Sequence, residues 1–142
     1  VTRRLAALLL AGLALSACGS QSPAAALRSW VTQSAFATAV TTLRTDASHA
    51  LTALGDPATA PNELHTVCGV LNFDAQAANS SLPTPDAQAT ALLGRAYGEF
   101  GAATSLCYGA AHDAAKRARA EAELRGAAAI LAEARARLGA AS

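Results

Sequence analysis

Few side chains in this 142-residue sequence can do chemistry. The histidines are His49, His65 and His112, and the cysteines are Cys18, Cys68 and Cys107. Imidazole and carboxylate together suit transition metals, and Asp46, Glu63, Tyr108 and Asp113 lie near the histidines in sequence. A metal or haem site built on His49, His65 and His112 is therefore one reading. Three solvated histidines is the other, and the pattern favours it. His49 and His65 fall off the apolar stripes of their segments and point outward, and Asp46-x-x-His49 has no second copy. The absence of Met removes thioether ligands for copper. No Gly-x-Ser-x-Gly, phosphate loop or His-Glu-x-x-His occurs, and Ser20, Ser22 and Ser34 have no base in view. We expect no enzyme, no cofactor and no metal.

Cys18 has a different context. Arg3-Arg4 precede a run of about eleven apolar residues from Leu5 to Leu15, a length that fits a secretory h-region and is too short to span a bilayer. Ser16-Ala17-Cys18-Gly19 follow. This order of basic start, apolar run and Leu-small-small-Cys resembles the lipobox signal of bacterial lipoproteins. The resemblance covers residues 1–19. It implies that Cys18 receives a diacylglyceryl group, that residues 1–17 are cleaved as a signal peptide, and that Cys18 becomes the first mature residue. Two acyl chains anchor stably where one holds only marginally, so the protein is expected on the outer face of the cell membrane. The leading Val fits a GTG start written literally.

With Cys18 lipidated, Cys68 and Cys107 remain, and two cysteines in an oxidising compartment pair by default. Closing a loop of about 40 residues stabilises by roughly 4 kcal/mol in the chain-entropy model. Metal ligation by this pair lacks a second CxxC or a nearby histidine. Loss of Arg3 and Arg4 leaves nine Lys/Arg against ten Asp/Glu. That balance offers no basic field for nucleic acid.

The elements that must position these residues read as helices. Residues 18–22 form a short lipidated tether, its Gly19–Ser22 stretch reaching about 14 Å when extended. The domain follows over 23–142. Ser22-Pro23 is an N-cap with Pro at the first helical position, opening a helix to Leu54. Phe36, Val40, Leu43, Ala47, Ala50, Leu51 and Leu54 recur on it at three/four spacing, while Leu27, Trp30 and Val31 form a slightly rotated stripe at its start. Gly55-Asp56-Pro57 stops it. A second helix starts near Thr59 with the stripe Leu64, Val67, Cys68, Leu71, Ala75, Ala78. The break 79–85 contains two prolines. Thr84 then caps a third helix, whose inner face is Ala89, Leu93, Ala96, Tyr97, Phe100, Ala103 and Cys107. Gly94, Gly98 and Gly101 weaken that helix but permit close packing. Asp113 caps a fourth helix to about Leu138, with Leu124, Ala127, Leu131, Ala134 and Leu138 inside.

No strand alternation competes, so the predicted fold is all-α, an up-down-up-down four-helix bundle after a cleaved lipoprotein signal peptide. A tight second-to-third hairpin would set Cys68 opposite a residue near position 97, about ten residues and roughly 15 Å from Cys107. The disulfide therefore requires residues 79–85 to run on past the second helix before the third begins. Leu-Pro-Thr-Pro-Asp between two helical cysteines, followed by an Ala/Arg/Glu-rich helix, also resembles uncharacterised alanine-rich lipoproteins of actinobacteria. That likeness spans residues 64–138 and implies no activity.

On the last helix Arg117/Glu121, Arg119/Glu123, Glu121/Arg125 and Glu133/Arg137 are i,i+4 neighbours, which reads as a solvated face with cancelling signs. Trp30, Tyr97 and Phe100 either line a pocket between helices or fill the core. The expected function is a non-enzymatic helical interaction module of the cell envelope. It is held to the membrane through lipid on Cys18 and binds another envelope protein. The alternative is a small-molecule, metal or haem binder.

Overall fold

The computed structural model describes residues 21–141, five α-helices with no strand among the described residues. The signal peptide and Cys18 lie outside the described residues. No helix among the described residues is long and apolar enough to cross a membrane.

The predicted first helix is two. In α1 (Pro23–Gln33) the Ser22 hydroxyl accepts the Ala25 N–H at 3.3 Å, with Pro23 in the first turn as expected. The chain then breaks at Ser34-Ala35, where Ala35 takes a left-handed φ of 50°, before α2 (Phe36–Gly55). Few alanines adopt this region. The two stripes explain the break, because a continuous helix cannot turn both the Leu27 set and the rotated Phe36–Val40–Leu43 set onto one core. With the break, Leu27, Phe36, Val40 and Leu43 are all buried, and the Trp30 and Phe36 rings meet at 5.6 Å.

Next come α3 (Pro61–Asn79), α4 (Ala87–Tyr108) and α5 (Ala114–Ala141). The start of α4 differs from the sequence expectation: Asp86, not Thr84, is its N-cap, accepting the Ala89 N–H at 2.7 Å. The Thr84 hydroxyl instead accepts the Asp86 N–H at 3.0 Å and donates to the Asp86 carbonyl at 2.7 Å, shaping the turn that delivers the cap. Asp113 caps α5 as expected, accepting the Lys116 N–H at 3.0 Å.

α2 packs against α3 and α5, and α4 against the same two helices, while α1 lies on α2 and α5. The expected inner residues of α3, α4 and α5 face this shared core, with Val67 partly buried at its edge. Alanine supplies much of the interior, so each residue buries little apolar area, and cross-linking and polar tethers matter more than in a Leu-rich core.

The α3–α4 register is the one the disulfide demands. Cys68 and Cys107 are joined, fully buried, with Cα atoms 6.2 Å apart. One turn further along α3, Asn72 Oδ1 accepts from the Thr104 hydroxyl at 3.3 Å. Residues 80–86 do run on beyond α3. Leu82 rests against α4 at Gly94, and the Trp30 indole donates to the Ser81 carbonyl at 3.0 Å. Pro23, Ala24 and Leu27 share a small cavity with Pro85 and Asp86, and Arg137 grips Asp86 through two bonds of 3.0 and 2.8 Å. The start of α1, the turn before α4 and the end of α5 thus occupy one end of the molecule.

Candidate functional site

The histidines do not converge. His65 stacks on Tyr108 with ring centroids 5.2 Å apart, and its Nε2 lies 3.0 Å from the Tyr108 carbonyl. This clasp sits beside the disulfide and uses Gly69, where any Cβ would stand 2.6 Å from the Tyr108 hydroxyl oxygen. His49 and His112 are exposed. Among the described residues no three His, Cys, Asp or Glu side chains gather as a metal-ligand set.

Asp46 meets a carboxylate as well as an imidazole. It is half-buried on α2 near Asp74 of α3, and its Oδ2 is sealed without a hydrogen-bond partner. Burial first, then interaction with the Asp74 carboxyl, hold Asp46 above the usual carboxylate range, while His49 pulls the other way. A carboxyl whose pKa is raised on folding favours the folded state at acid pH, and that contribution is lost as pH rises through the folded-state pKa. Asp46→Asn is therefore expected to stabilise the fold at neutral pH, by less than about 1 kcal/mol given partial exposure, and to change little near pH 3. Urea midpoints at the two pH values check this, and equal shifts at both would rule out the like-charge cause.

Two arginines read as part of a solvated face leave it. Arg119–Glu123 (3.8 Å) and Arg125–Glu121 (2.9 Å) pair along α5 as expected. Arg137 reaches across to Asp86 instead of back to Glu133; this pairing, ahead of the Ala89 N–H, holds the Asp86 carboxyl below its usual range. Arg117 is 8% exposed. Its guanidinium donates to the carbonyls of Ala53, Leu54 and Asp56 at the end of α2, at 3.2, 3.1 and 2.8 Å. It also donates to Ala110 and Ala111 in the turn before α5. Both act as structural fasteners, Arg117 from a buried position and Arg137 from a partly exposed one.

The aromatic residues separate. Trp30 belongs to the α1–α2 break and packs on the core, and Phe100 is fully buried, so of the two readings for Trp30, Tyr97 and Phe100 core filling holds and a shared pocket does not form. Tyr97 instead lines a groove of about 550 Å³ between α3 and α4, across from Asn72, Gln76 and Asn79. Gly94, Gly98 and Gly101 form its α4 wall. The glycines were expected to bring helices together; here they hollow out a surface, and a Cβ at Gly98 would meet nothing within 4 Å. Opposite this glycine face stand three carboxamides, with Ala75 among them. Burial pushes the Tyr97 phenol up to about 12, so it stays protonated, a donor and acceptor at any physiological pH.

A larger groove of about 650 Å³ between α2 and α5 is lined mainly by apolar residues, alanine making up half, with Arg44 and Arg135 beside them. It offers fewer converging polar groups than the α3–α4 groove. No protein family model matches the chain, and no curated protein or solved structure is similar to it.

Proposed function

We propose that this chain is an exported lipoprotein of the bacterial cell envelope, tethered through Cys18 and serving as a non-enzymatic helical binding module. In this reading α2–α5 run up-down-up-down as a four-helix bundle with α1 as an added arm. The pairwise packing of those helices and the α3–α4 register support it. The observation that carries the export reading is the buried Cys68–Cys107 cross-link, since structural disulfides persist in oxidising compartments and are rare in cytosol. It leaves Cys18 as the one remaining thiol, in a lipobox-like setting. The start of α1 would then put the Asp86–Arg137 end toward the membrane and the Arg117 end outward.

Lipid attachment is tested by mass spectrometry of the mature N-terminus. Cys18→Ala is expected to move the protein from the membrane to the soluble fraction while leaving its thermal unfolding unchanged. Retention in the membrane would sink the anchor. Cross-linking in cells tests the interaction role; capture of no envelope protein would remove it. A ligand-binding role is the second reading. It is favoured by the α3–α4 groove, whereas the scattered histidines lend no support to its metal and haem forms.

A further inference from the structure

We propose that α1 is an exchangeable arm: two copies of this chain trade it, each straightening α1 and α2 into one helix and laying its α1 on the other copy's bundle. This goes beyond the envelope reading and does not depend on lipid at Cys18.

The bend between α1 and α2 gathers three unsatisfied features at two residues. Ala35 takes a φ of 50°, and left-handed backbone costs an alanine about five-fold or more in population. Ala35 is also the N-cap of α2, and it offers no side-chain bond to the first N–H groups of that helix. Beside it the Ser34 hydroxyl oxygen is sealed without a hydrogen-bond partner. A straight helix removes all three. Alanine becomes the best helix former, and the first N–H groups of α2 find carbonyls one turn back in α1. Ser34 can then bond the Trp30 carbonyl, as Thr32 and Thr41 bond the Arg28 and Ala37 carbonyls at 3.1 and 2.9 Å. No Gly or Pro stands between Pro23 and Gly55 to oppose the straight form.

The apolar pattern says where the freed arm goes. The stripe of Leu27, Trp30 and Val31 is rotated from that of Phe36, Val40 and Leu43, so a straight helix cannot turn both onto one core. It can turn them onto two. The α2 stripe stays on its own bundle, while the α1 stripe, with its buried leucine and its tryptophan, needs a second cover. The surface that fits it is the one α1 leaves. There the Ser81 carbonyl accepts from the Trp30 indole at 3.0 Å, the Phe36 ring meets Trp30, and Pro85 and Asp86 face Pro23, Ala24 and Leu27. A second straightened copy bares the same surface and frees the same arm. Each contact given up within a chain is remade between chains, and the exchange is two-fold by construction. Relief of two hinges is then set against the entropy of association. A short strained hinge invites such an exchange.

The test is the oligomeric state of the full chain in detergent, with micelles in large excess, read by sedimentation over a wide concentration range. A monomer–dimer equilibrium is expected. Ala35→Gly eases the bend and weakens the straight helix, so it spares the folded monomer. The dimerisation constant should fall at least about 25-fold, five-fold at each of two hinges. Ala35→Leu, a good helix former too bulky for left-handed backbone, should raise it. Exchange is told apart from a surface contact by refolding isotope-labelled chain together with unlabelled Ala24→Cys chain that carries a nitroxide. Ala24 lies beside Asp86, so broadening of the Asp86 amide signal in the labelled copy is expected. A chain monomeric at every concentration, a dimer that Ala35→Gly leaves unchanged, or a dimer without cross-copy broadening overturns the proposal.

Discussion

Replacing Arg117 by Met is expected to destabilise the fold by about 3 kcal/mol, although the residue binds no carboxylate and touches no candidate ligand site. The last carbonyls of α2 have no partner within the helix. Those of Ala53 and Leu54 receive the Arg117 guanidinium, which also meets the negative end of the helix dipole. The same fork holds Ala110 and Ala111, so one side chain ties the end of α2 to the turn between α4 and α5. Methionine fills much of the volume but donates nothing, and several buried carbonyls then lack partners at about 1 kcal/mol or more each. Arg117→Lys should recover only part of the loss, because an ammonium cannot span a planar fork of acceptors. Arg119→Met on the exposed side of α5 is the control, expected to stay within about 0.5 kcal/mol. Urea unfolding with matched m-values measures all three, and equal effects at 117 and 119 would show that the fork contributes nothing.

The second large effect is expected from the cross-link. Cys68 and Cys107 are 39 residues apart, and freeing a loop of that size returns about 4 kcal/mol of chain entropy to the unfolded state. The double variant Cys68→Ala/Cys107→Ala should lose that amount and melt roughly 15 °C lower. An Ala-rich core has little apolar area with which to absorb the loss. Reduction of the parent with dithiothreitol should reproduce the shift, and the double variant should be insensitive to the reagent. A double variant as stable as the parent would mean that helix packing alone sets the α3–α4 register. The α3–α4 groove depends on that register, so the amide signals of Asn72 and Gln76 in the variant report whether the site survives loss of the cross-link.

How much could be read from the residues differs between elements. The inner faces of α3, α4 and α5 were legible because each stripe repeats at helical spacing over several turns, and the folded chain buries them. The Ser22 and Asp113 caps were legible from one residue type beside a helix start. The cap of α4 was not, since Thr84 and Asp86 are both good capping residues two positions apart. The choice depended on Thr84 finding better use in the turn, where it also bonds Thr90. The rotated stripe at Leu27, Trp30 and Val31 was the trace of the Ser34-Ala35 break. Nothing local demanded a break, however, because neither Gly nor Pro stands there. Tyr97 was correctly placed on an inner face, yet the groove it lines had no sequence signal.

Periodicity and proline positions were enough to determine an all-helical chain and most of the residues that face its interior, because both follow from interactions within one helix. The partner of Cys68 followed only from the lipobox resemblance, which set Cys18 aside and left two cysteines of three. Tertiary structure alone decided that Arg117 and Arg137 turn away from their own helix, that the first helix is two, and that a glycine face opens a groove instead of closing a contact. The partners in those cases lie far away along the chain, 64 residues from Arg117 to Ala53 and 51 from Arg137 to Asp86. Rules of spacing see only the nearest turns of one helix, and cannot weigh a neighbour four residues away against a carbonyl brought in by folding.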